Sequence, residues 1–152
     1  MAATGGPTGT TPSDRQVLAR SVVLDFEDST VLRPLRRLVE DLLPGADEDT
    51  LVDAELVCTE LVTNAIEHAR GPRSVHVRLF SGGGLRVTVV DASPGSPLTA
   101  GESSSSPDRG RGLALVEAVS EWDVTRTDSC KAVTAMLHGP PPDPAAPRPA
   151  SA

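Results

Sequence analysis

Glu60, Asn64 and His68 fall four residues apart in the stretch Glu60-Leu61-Val62-Thr63-Asn64-Ala65-Ile66-Glu67-His68-Ala69. Read as a helix, that spacing stacks a carboxylate, an amide and an imidazole on one face. The carboxylate can take a proton from an attacking hydroxyl, and the amide oxygen can complete the shell of a Mg²⁺ ion held otherwise by phosphates and water. By itself the row reads first as the wet side of an amphipathic helix, and only the rest of the chain turns it toward a pocket wall. Asp91 ends an apolar stretch and precedes a turn containing Gly95. It can cap that turn, or it can accept the exocyclic amine of adenine while Gly95 lets the ring approach. Gly110-Arg111-Gly112 opens a helix after a Ser-rich loop. Unpaired N–H groups and the helix dipole favour anions there, and Arg109 and Arg111 add charge, although a capping or packing role suits a lone pair of glycines as well. The chain has no GxxxxGK[ST] run, so a nucleotide site here is not a P-loop.

The elements that must position these residues follow from apolar spacing. Ser21 to Phe26 is rich in β-formers and predicts a first strand. Val31, Leu32, Leu35, Leu38, Val39, Leu42 and Leu43 recur at helical spacing behind the capping run Glu27-Asp28-Ser29, and Arg33, Arg36 and Arg37 fall off that stripe. Pro34 is compatible with a helix only near its first turn. After Pro44-Gly45, the acidic residues Asp47 to Asp49 start a second helix predicted over 50–68, with Leu51, Ala54, Cys58, Leu61 and Ala65 as its buried line. Two alternating strands follow, 74–80 and 85–91, joined by Gly82-Gly83-Gly84 as a hairpin turn. One face carries Val75, Val77, Leu79, Leu85, Val87 and Val89; the other carries His76, Arg78, Arg86 and Thr88, with His76 read as a surface histidine. A loop over 99–108 leads to a helix carrying Leu113, Leu115, Val116, Val119 and Trp122, then to strands 123–127 and 132–137. The order β-α-α-β-β-loop-α-β-β predicts an α+β, two-layer sandwich: a mixed, mostly antiparallel sheet with helices on one face. A Rossmann sheet does not match, because no first strand leads into a Gly-rich turn and helix.

Composition narrows the function classes. The 152 residues suit one domain over 17–138, flanked by a Gly/Thr/Pro/Ser stretch, 1–16, and a Pro/Ala stretch, 139–152, both expected to be disordered. A net charge of −7, with two Phe, one Trp and no Tyr, argues against direct nucleic-acid binding. No apolar run is long enough for a bilayer, and no signal-peptide pattern is present; the expectation is a cytoplasmic protein with no membrane contact. Cys58 and Cys130 lack metal-type spacing and are read as structural.

Taken together, the three features resemble the boxes of the GHKL (Bergerat-fold) ATP-binding family, in particular its anti-sigma-factor serine/threonine kinases. ELVTNAIEHA resembles the N box, VVDASPGSP the adenine-binding G1 box, and GRGLALVEAVSEWDV the G2 box, in order and spacing over about Val31 to Leu137. The resemblance implies Glu60 as general base, Asn64 as Mg²⁺ ligand, Asp91 as the adenine-recognising aspartate and Gly95 as the second glycine of its box. It further implies that Gly110, Gly112 and the adjoining Leu113 border the nucleotide. By the same resemblance, one of Arg109 and Arg111 is implied to contact phosphate, and His68 to stand at the pocket edge. Implied cofactors are ATP and Mg²⁺. Implied partners are a STAS-type anti-sigma-factor antagonist, a sigma factor, and a second copy in a homodimer.

Two positions depart from the pattern. Ser93 replaces the first G1 glycine, and Cys130-Lys131-Ala132-Val133 stands where a Gly-Thr-rich strand start is usual, so a threonine that helps hold adenine through water is not matched. The departures bear on nucleotide affinity more than on fold. They leave two readings: a protein kinase, or an interaction module of the same fold that regulates a partner without phosphoryl transfer. A histidine-kinase fragment fits poorly, since a helix pair with a phosphoacceptor histidine has no place in the chain.

Overall fold

Alternation of apolar and polar residues sets the register of the sheet. The computed structural model describes residues 17–96 and 109–139, with the side chains of 109–113 outside the description. Strands β1 (Leu18–Phe26), β2 (Arg73–Phe80), β3 (Leu85–Asp91), β4 (Glu121–Arg126) and β5 (Lys131–Leu137) form one sheet in the order β1-β2-β3-β5-β4. Every described pairing is antiparallel, a simpler sheet than the mixed one expected. Val75 pairs with Val89, Val77 with Val87, and across the next ladder Val89 pairs with Val133 and Val87 with Ala135. Because side chains alternate, these residues share one face, and all of them are buried. Gly83 turns the β2–β3 hairpin at a φ of 83°, a conformation other residues rarely adopt.

Helices cover that face. A single 3₁₀ turn, Ser29–Val31, capped by Asp28, leads into α1 (Leu32–Leu42), where Pro34 sits in the first turn as its missing N–H requires. Val31, Leu35, Val39 and Leu42 are buried, while Arg33, Arg36 and Arg37 are exposed. Arg36 reaches Glu55 of α2 at 3.7 Å. Helix α2 (Glu48–His68) starts at Asp47, whose carboxylate accepts from the Thr50 N–H at 2.8 Å. It buries Ala54, Val57, Cys58, Leu61, Val62 and Ala65; Val57 and Val62 join the expected line, and Leu51 is only half-buried. The end of α2 is tied down by Arg73, the first residue of β2. Its guanidinium donates to the carbonyls of Ala65 at 3.1 Å, Ala69 at 2.5 Å and Glu27 at 3.0 Å.

Helix α3 (Arg109–Val119) ends sooner than expected. Trp122 belongs to β4, because the Ser120 hydroxyl and N–H both return to the Val116 carbonyl and close the helix there. Leu115, read as a core residue, is about half exposed, and Val116 takes the inward position. Apart from Gly139, the expected tails, and with them the Ser-rich loop over 99–108, lie outside the described residues.

Two expected outcomes follow from this packing. Leu61→Ala removes a side chain that is 2 % exposed at the α2–sheet contact and is expected to cost about 2–5 kcal/mol in urea unfolding; Val52→Ala, on the exposed side of the same helix, is expected to stay within about 0.5 kcal/mol. The Cys58 thiol is pushed up to about 12, first by burial and then by the charge of Glu55. A thiol reagent at pH 8 is therefore expected to modify Cys58 only after denaturation, with Cys130 reacting first.

Candidate functional site

The wall of the site is α2. Its inner side is committed to the sheet, which leaves Glu60 and Asn64 half-buried beside that contact and His68 exposed at the helix end. Partial burial raises the Glu60 carboxyl above its ordinary value of 4.5, and the charge of Glu67 raises it further. His68 Nε2 lies 3.7 Å from a Glu67 oxygen, both side chains about one-third exposed, so the imidazole is engaged along its own helix.

Asp91 closes β3 on the helix-covered face and is 1 % exposed. One carboxylate oxygen, Oδ1, accepts from the Ser93 N–H at 2.8 Å, an Asx-type closure of the turn. The other, Oδ2, lies 3.4 Å from Lys131 Nζ. Lys131 is directly opposite Asp91 on β5 and has no exposed surface. Its ammonium also donates to the Ser96 hydroxyl. From β4, Arg126 donates to the carbonyls of Pro94 at 2.5 Å and Ser96 at 2.9 Å. The turn after β3 is thus held by cations from two neighbouring strands.

The end of α2 and the turn after β3 are joined. The Ala92 N–H donates to the Arg70 carbonyl at 2.9 Å, and the Arg70 N–H donates to Ser93 Oγ at 2.7 Å. Ser93, the departure from glycine, therefore uses its hydroxyl to attach the turn to the helix end. Gly95 is exposed, and a Cβ there would meet nothing within 4 Å, so space is open at this residue. The backbone of Arg109, Gly110, Arg111, Gly112 and Leu113 forms the start of α3, as expected; their side chains lie outside the described residues.

Chemically, the two ends of the site differ. Among the described residues no group of three or more His, Cys, Asp and Glu side chains gathers to hold a metal ion. Asn64 suits a Mg²⁺ whose remaining ligands come from phosphate and water. At the other end, Asp91 has the residue type that an amine of a base requires, but its Oδ2 already faces an ammonium. Lys131, Ser96 and Arg126 were not singled out from the sequence as site residues. A signal for Lys131 existed: strand parity with Val133, Ala135 and Leu137 points its side chain inward.

The histidine kinase-like ATPase domain family matches residues 27–137. An uncharacterised protein of Streptomyces coelicolor, SCO4941, is 36% identical over 88 residues, which cover 55% of this chain and 84% of that protein. Among solved structures, the RsbU and RsbW domains of Rv1364c from Mycobacterium tuberculosis superpose with a TM-score of 0.57 at 21% identity, over 79% of this chain and 32% of that one. The latter likeness shows the fold, and this chain spans about a third of that structure's length. No helix among the described residues is long and apolar enough to cross a membrane. With a family match that runs from just after β1 to the end of β5, the chain belongs to the histidine kinase-like ATPase domain family.

Proposed function

We propose that this chain is an ATP-dependent serine/threonine protein kinase of the anti-sigma-factor type, acting on a STAS-type antagonist, binding a sigma factor and working as a homodimer. The observation that carries the reading is Glu60: half-buried, its carboxyl raised above the ordinary range, one helical turn before Asn64. A raised carboxylate is a better proton acceptor near neutral pH than a solvated one. The order of the three boxes supports the kinase type, and the family match supports ATP as the nucleotide.

In this mechanism Glu60 takes the proton of the partner's serine hydroxyl as that oxygen bonds to the transferring phosphorus. Asn64 would hold Mg²⁺ through its side-chain oxygen, and the ion would offset charge on the phosphate oxygens. The first-turn N–H groups of α3, with Arg109 or Arg111, hold phosphate oxygens on which charge accumulates. Bound Mg-ATP supplies the phosphoryl group, and loss of ADP completes the transfer. His68, turned to Glu67, serves at the pocket edge rather than in proton transfer. The buried Asp91–Lys131 pair favours a second reading, an interaction module of the same fold that regulates its partner without phosphoryl transfer.

Transfer of radiolabel from ATP to a STAS-domain protein tests the first reading. Glu60→Gln is expected to lower the rate at least about 100-fold while leaving nucleotide affinity within about threefold. Wild-type labelling by Glu60→Gln removes Glu60 as the base, and absence of transfer by the unaltered chain, with Mg-ATP binding intact, selects the second reading. Because Glu60 must be ionised to act, activity is expected to fall as pH drops, with the midpoint of the acid limb above 4.5. The sign for stability is opposite. A carboxyl raised in the folded state holds its proton more tightly there, so stability declines as pH rises through the window above 4.5. Glu60→Gln is accordingly expected to melt higher than the unaltered chain at pH 7, with the gap closing near pH 4, by calorimetry.

A further inference from the structure

Among the fourteen Lys and Arg residues of the chain, Lys131 is the single lysine. It has no exposed surface, and its ammonium lies 3.4 Å from Oδ2 of Asp91, a residue that is 1 % exposed. Such a pair is a poor stabiliser: both charges lose water, and apolar or small residues of matching volume serve a core as well. Sheet register does not require it either, since the flanking inward positions are Val89 and Val133. The pair needs an explanation in terms of the site.

The chemistry at Asp91 supplies one. Oδ1 is spent on the Ser93 N–H at 2.8 Å, which leaves Oδ2 as the acceptor for a second donor. A base amino group and a lysine ammonium are both donors, and they compete for that oxygen. The ammonium holds the advantage of charge, a second acceptor in the Ser96 hydroxyl, and a turn already pinned by Arg126 through the Pro94 and Ser96 carbonyls.

Resting on the reading of Asp91 as the base-recognising group, we propose that Lys131 is a specificity-determining residue of the base site. It competes within the chain for the carboxylate that an adenine amine must reach, and so sets the nucleotide affinity and reduces discrimination in favour of adenine. A base with an oxygen in place of that amine meets Lys131 as a donor and loses nothing by its presence. The departure at Lys131 is then a change in what the pocket accepts.

The test is calorimetric titration of the full chain and of Lys131→Thr with Mg-ATP and with Mg-ITP, which replaces the 6-amino group by an oxygen. Lys131→Thr is expected to bind ATP about 10- to 100-fold more tightly than the unaltered chain, the range for release of one charged hydrogen bond, and to bind ITP no more tightly. A purely structural role moves both nucleotides together, so an unchanged ATP-to-ITP ratio overturns the inference. Equal ATP affinity in the two chains also overturns it, while leaving the kinase reading intact. Absence of any binding by either folded chain overturns the nucleotide reading and this inference with it. If Lys131→Thr fails to fold, Lys131→Gln keeps a donor for Asp91 without the charge; it is expected to shift the ratio in the same direction by a smaller factor, and an unshifted ratio overturns the inference.

Discussion

The contact between α2 and the sheet is the constraint on which the rest of the molecule depends. Leu61, Val62 and Ala65 close against a face built from Val75, Val77, Val87 and Val89, all of them buried. Spread over 21 residues, this packing fixes the rotation of α2 about its axis. Once the inner side is settled, the positions of Glu60 and Asn64 at the margin of the core are settled too. Their partial burial is a by-product of tight apolar packing, and the altered proton affinity of Glu60 is a by-product of that burial in turn.

The two carboxylates of the site show how much environment decides. Glu60 stands at a helix margin with a second acid on the next turns, and its charged form is disfavoured. Asp91 is far more deeply buried, yet a backbone N–H and a lysine ammonium face its two oxygens. Burial alone is costly for either; partners make the difference. Burial leaves the Glu60 carboxyl with a raised proton affinity, whereas at Asp91 both oxygens are met by donors.

Most of the architecture was legible in the chain because its signals are periodic. The helical spacing from Val31 to Leu43 and the alternation in β2 and β3 are local patterns, and local patterns survive folding. What escaped depended on distant neighbours. Trp122 continued the apolar spacing of the third helix, but Ser120 closes that helix and sends the tryptophan into a strand. Lysine is rarely found buried, so Lys131 in a departing segment reads as an altered strand start rather than as the cross-strand partner of Asp91. Its role comes from a pairing between residues forty positions apart in sequence, which no local pattern encodes. Ser93 is similar: as a lost glycine it was a defect, whereas its hydroxyl joins two elements.

Arg73 also has a bearing on the site. Its guanidinium binds three main-chain carbonyls, two of them at the end of α2. Arginine stays protonated throughout the range in which carboxylates and imidazoles titrate, and main-chain carbonyls do not titrate at all. The fastening of the helix end to the sheet is consequently indifferent to acidity, while the side chains along the wall are not. Frame and chemistry answer to separate variables, so a change in acidity alters the charge on the wall without moving the end that anchors it.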